Sequence, residues 1–155
     1  MFVFMTNQKE DILAKFLDNE SKIEKLYKLY SQKFPSHREI WIKLLIKKRH
    51  QIEILKDLSL RLDRYDLFKV NSHAPQILNY VSNFIDEQIK KIKLDNLVLH
   101  DALGVALSLE RSLKEKDSLK LLESKHEDVF KTFKILNHQT SQQVNILYKA
   151  YNKIA

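Results

Sequence analysis

The chain has 155 residues, 27 basic against 20 acidic side chains for a net charge of +7, one glycine, two prolines and no cysteine. That length suits one domain, residues 1–155, able to bury roughly two-thirds of its unfolded surface in a single core. The lack of cysteine excludes disulfides, thiolate metal ligands and cysteine nucleophiles, and fits a reducing compartment. With few breakers, no β-runs bounded by turn residues, and Leu, Lys, Ile and Glu at helical spacing, the chain reads as all-α.

The opening Met1-Phe2-Val3-Phe4-Met5 is apolar but has no basic leader, and no stretch reaches membrane-spanning length, so a cytoplasmic protein without membrane contact is expected. Its basic residues are mostly Lys scattered along helix faces. A solvated Lys-rich surface explains them better than nucleic-acid binding, since no recognition motif or interleaved aromatic stripe accompanies them.

The first helix is predicted from near Asn7, which has Glu10 three residues on as in a capping box, to about Lys33. Leu13, Phe16, Leu17, Ile23, Tyr27, Tyr30 and Phe34 form its apolar stripe. The second is predicted from Ser36, with Glu39 three residues on, to about Asp63, its stripe running from Ile40 and Trp41 to Leu58. Residues 64–74 read as a loop, and Pro75 as the first residue of a helix reaching about residue 92. Asp95 is a candidate cap for the next helix, whose stripe passes through Leu99, Leu103, Ala106, Leu107 and Leu113. Gly104, inside that helix, marks close helix contact. Ser124 and Glu127 form a further capping box at the last turn, and the final helix is expected from about Lys125 to Ile154.

Four stripes carry polar interruptions: Glu20; Lys48 with Gln51; Glu110; and Thr140 with Gln143. A polar group in a core is costly unless paired, so these six residues are the candidate site. Glu20 lies 15 residues before Pro35 and Lys48 13 after it, which at about 1.5 Å per residue puts them level across an antiparallel hairpin. Glu110 and Thr140 are level in the same way about a turn near Lys125. The connection 64–94, with a helix worth roughly 27 Å of travel, can carry the chain from one end of the bundle to the other and bring all four positions around one centre. His50 with Glu53, and His100, His126 and His138, show no convergent spacing and read as surface residues. Tyr27, Tyr30 and Trp41 read as packing.

Glu20-Ser-Lys-Ile-Glu-Lys-Leu-Tyr27, Phe34-Pro35, Ile40-Trp41-Ile-Lys-Leu44-Leu45 and Ala102-Leu103-Gly104-Val105-Ala106-Leu107-Ser108-Leu109-Glu110 together resemble ferritin-like, rubrerythrin-like proteins over most of the chain. The resemblance implies a four-helix bundle of two antiparallel hairpins with a long crossover. It also implies a di-iron site built from Glu on helices 1 and 3 and Glu-x-x-His on helices 2 and 4. Here Glu20 and Glu110 match the single carboxylates, whereas Lys48 and Gln51, and Thr140 and Gln143, stand at the Glu-x-x-His positions. The di-iron site is therefore read as degenerate, with no cofactor expected and Lys48 paired to Glu20 and Glu110 in place of metal. The expected role is a non-catalytic scaffold, acting as a homodimer or with an unidentified protein partner. The contrasting expectation is a metal-binding protein or oxidoreductase that uses Glu20 and Glu110 in an atypical iron or manganese site.

Overall fold

A computed structural model describes residues 2–60, 67–70, 73–94, 96–115, 122–124 and 127–154. The fold is built from α-helices: α1 Phe2–Lys33, α2 Arg38–Leu60, α3 Ala74–Lys91, α4 Leu99–Glu115 and α5 Glu127–Ile154. A short 3-10 turn, Pro35–His37, links α1 to α2. Two short strands, β1 Leu67–Val70 and β2 Leu122–Ser124, form an antiparallel ladder pairing Leu67 with Ser124 and Val70 with Leu122.

Helix directions follow from which residues meet. Tyr30 and Trp41 pack with ring centroids 4.8 Å apart, and Arg49 reaches Glu24 at 2.7 Å, so numbers rise on α2 as they fall on α1 and the two run antiparallel. Lys47 donates to Gln142 at 3.2 Å and Gln51 to Thr140 at 3.3 Å, making α5 antiparallel to α2. His100 stacks on Tyr151 and the Arg111 guanidinium lies over the Tyr148 ring, which sets α4 antiparallel to α5 and therefore parallel to α2. On the outer side of α1, Asn19 donates to the Leu78 carbonyl at 3.0 Å, and Lys22 donates to Ser82 Oγ at 2.7 Å and pairs with Asp86 at 3.1 Å. These contacts hold α3 alongside α1 in the same direction.

Because α2 and α4 are parallel, their C-terminal ends lie at the same end of the molecule. There β1 and β2 pair. The expected loop 64–74 thus contains a strand at Leu67–Val70; the run Leu-Phe-Lys-Val has strand-forming residues but is too short to declare itself without its partner.

Several expected boundaries are corrected. Helix α1 starts at Phe2 rather than near Asn7, as nothing between them breaks a helix. Ser36 does not cap α2: it lies in the 3-10 turn, which is closed by the His37 amide donating to the Phe34 carbonyl at 3.0 Å, with no side-chain cap. Pro35, with no amide hydrogen and a fixed φ, suits that turn. Pro75 falls one residue inside α3 rather than opening it. Ser124 lies in β2 rather than at the start of α5, which begins at Glu127. Asp95 and the expected end of the second helix at Asp63 lie outside the described residues.

The buried apolar side chains form two clusters. One holds Leu13, Phe16, Leu55, Leu58 and Leu136; the other holds Ile23, Tyr27, Trp41, Leu44, Leu103 and Leu147 among others. Along α1, α2 and α5 the same order recurs: apolar cluster, polar residues, apolar cluster.

Candidate functional site

The polar residues between the clusters are the six singled out by the sequence, and all are buried: Glu20 at 3% exposure, Lys48 and Glu110 at 0%, with Gln51, Thr140 and Gln143 beside them. Each is placed by ordinary helix geometry. Residues at i+3, i+4 and i+7 share a face, so Phe16, Glu20, Ile23 and Tyr27 point the same way from α1. Lys48 with Gln51, and Thr140 with Gln143, are spaced by three on α2 and α5 for the same reason.

Lys48 Nζ lies 2.9 Å from Glu20 Oε2 and 3.1 Å from Glu110 Oε1. Both distances are those of close ion pairs, with the ammonium held between the two carboxylates. At a separation near 3 Å and an effective dielectric of about 20, each attraction is worth about 5 kcal/mol. Burying each ion costs several kcal/mol, and the two carboxylates repel one another, so the gain and the cost are of similar size. Removing only one member upsets that balance.

Tyr27 donates its hydroxyl to Glu110 Oε1 at 2.7 Å, a short charge-assisted bond across α1 and α4. The apolar stripe alone reads Tyr27 as a packing residue. It does pack, with its ring 5.8 Å from Trp41, but its hydroxyl belongs to the site. The available signal was its position two turns beyond Glu20 on one helical face.

The charges shift one another. Burial raises the Glu20 carboxyl above its ordinary value of 4.5; Lys48 pulls it back and Glu110 pushes it further up. Burial by itself would lower Lys48, but the charges of Glu110 and Glu20 outweigh it and hold the ammonium above 10.5. Burial, then the charge and hydrogen bond of Glu110, push the Tyr27 phenol well above 10. The site therefore contains a firmly protonated lysine and a phenol fixed as a donor. Two ionised carboxylates and one ammonium leave one buried negative charge, so Glu20 takes up a proton more readily than a free glutamate does.

The other side of the layer is neutral. Gln51 donates to Thr140 Oγ1 at 3.3 Å, Gln143 donates to Gln51 Oε1 at 3.4 Å, and Thr140 bonds back to the Leu136 carbonyl at 3.0 Å. A cavity of about 10 Å3 lies among Glu20, Gln51, Thr140, Phe16, Leu55 and Leu136. That is close to the space of one water and far below that of a substrate.

The remaining candidates fall elsewhere. His50 is exposed and contacts Gln139 at 2.9 Å; His138 is exposed beside Gln142; Glu53 is exposed. His100 stacks on Tyr151, ten residues and about 15 Å of helix before Glu110. His126 lies outside the described residues. Among the described residues no three His, Asp or Glu side chains gather so as to hold a metal ion, and no helix is long and apolar enough to cross a membrane. Compared with family models, curated proteins and solved structures, the chain has no significant match.

Proposed function

We propose that this is a ferritin-like helical bundle whose centre is an ion-pair network in the place of a metal site, and that it acts as a non-catalytic scaffold, as a homodimer or with a protein partner. The observation that carries this reading is the Lys48 ammonium held between Glu20 and Glu110, fully buried. The helix directions, with α2 and α4 parallel and the connection through α3 between them, are compatible with a bundle containing one long crossover.

The di-iron group that the resemblance implies does not fit the residues present. Two carboxylates are available, but Lys48 offers only donors and a positive charge when protonated, and amide or hydroxyl side chains stand at the four positions left after Glu20 and Glu110 except that of Lys48 itself. The nearby cavity has no room for a substrate.

A second reading is favoured by one feature: Glu20 and Glu110 converge on the same point, and Glu110 Oε2 has no hydrogen-bond partner. A single iron or manganese ion could take the position of the ammonium if Lys48 swung away. Metal analysis of protein purified without chelator separates the two. The scaffold reading predicts substoichiometric iron and manganese; one equivalent of either per chain would overturn it and support the second.

A further inference from the structure

A separate open groove of about 590 Å3 lies between α3, α4 and α5, in the size range of small-molecule sites. Its lining combines two basic side chains, Lys91 and Arg111, with the apolar Phe84 and the Tyr151 ring. Among the described residues no carboxylate forms an ion pair with either cation. Arg111 is instead held by its guanidinium, 5.4 Å from the centre of the Tyr148 ring, a placement that orients its donors without neutralising its charge. Asp101 is the acidic residue on the wall, so the lining carries a net positive charge.

Two further features shape the groove. His100 is stacked on Tyr151, with ring centroids 4.1 Å apart and planes 23° from parallel, and its buried Nε2 has no hydrogen-bond partner. Gly104 lies on the wall beside the same tyrosine; a Cβ there would come 3.4 Å from Tyr151 Cε2 and extend the wall into the open space. The glycine expected to mark a close approach of helices thus lies where α4 meets the Tyr151 side chain of α5.

We infer that this groove binds a small molecule with a planar apolar ring and an anionic group, carboxylate or phosphate. The anion meets Arg111, whose planar fork suits two-point contact with either group, and Lys91 adds charge. The ring lies against Phe84 and Tyr151. This site is independent of the buried layer and stands whether or not the scaffold reading does.

Phenyl phosphate, benzoate, inorganic phosphate and benzyl alcohol serve as probes, titrated into the isotope-labelled full chain while amide chemical shifts are followed. Saturable shifts at Gly104 and Ser108 with phenyl phosphate or benzoate, at millimolar affinity or tighter, are expected. The stronger of these two identifies the anionic group. Arg111→Gln should weaken that binding at least about tenfold and Lys91→Gln about threefold, with exposed Lys56→Gln leaving it unchanged. If Arg111→Gln fails to fold, the Lys91→Gln loss decides. The proposal is overturned by the absence of shifts at the groove, by equal binding of inorganic phosphate or benzyl alcohol, or by variants that bind as the parent does.

Discussion

The polar layer has two sides that solve the same burial problem differently. On one side, Glu20, Lys48, Glu110 and Tyr27 meet through contacts of 2.7 to 3.1 Å in which every residue is charged or bonded to a charge. On the other, Gln51, Thr140 and Gln143 are joined by bonds of 3.3 and 3.4 Å, and Gln143 Oε1 is left without a partner. The charged side is interdependent, because each ion is tolerable only while the others remain. The neutral side is separable, because an amide or hydroxyl can lose a partner at modest cost. Buried polarity is therefore not one quantity here; its consequences depend on whether charge must be balanced.

The sharpest way to break this comparison is Lys48→Glu, which would leave three buried carboxylates and no cation. A loss of more than about 5 kcal/mol is expected, enough to prevent cooperative thermal unfolding at neutral pH by circular dichroism. On the neutral side, Thr140→Val strands Gln51 Nε2 and should cost about 1 to 2 kcal/mol by urea denaturation. Replacing Gln51, Thr140 and Gln143 together with Leu, Val and Leu should cost less than Thr140→Val alone, since no polar partner is then left behind. A larger loss in the triple variant would show that the neutral side is also interdependent.

Titration sharpens the charged side. A carboxyl whose folded pKa is raised binds its proton more firmly when folded, so its contribution is present below the unfolded value, about 4.5, and is lost as pH rises through the raised folded value. Lys48 is also raised, so its contribution is fully present below 10.5 and is lost as pH rises through its folded value above that. The stability of the parent relative to Glu20→Gln should therefore fall with rising pH above about 4.5, measured by urea denaturation in a pH series. A difference that stays flat or rises would contradict a raised Glu20 carboxyl. The smallest effect is at the groove, where Gly104→Ala meets Tyr151 at ordinary contact distance and should raise stability by about 0.5 to 1 kcal/mol through helix propensity.

Much of this was legible in sequence because helices write their buried face at a fixed period. The interruptions at Glu20, Lys48, Gln51, Glu110, Thr140 and Gln143 stood out against apolar stripes, and level-counting across the α1–α2 turn brought Glu20 to Lys48. Tyr27 was hidden because its ring fits the apolar stripe and only its hydroxyl is polar. The β1–β2 ladder was hidden because each strand is meaningful only opposite the other, more than fifty positions away. The helix starts were misplaced where residues of capping type occurred without a capping bond, as at Ser36. The groove was illegible because Lys91, Arg111 and Tyr151 come together only once α3, α4 and α5 are packed.

The most direct test of the central claim is chemical denaturation of Lys48→Met beside a variant in which Glu20, Lys48 and Glu110 become Leu, Met and Leu together. The single substitution leaves two buried carboxylates without their cation and should cost about 3 to 5 kcal/mol. The triple substitution removes every charge and should recover most of that loss or exceed the parent. A Lys48→Met protein as stable as the parent, or a triple variant less stable than the single one, would contradict a balanced ion-pair network at the centre of this fold.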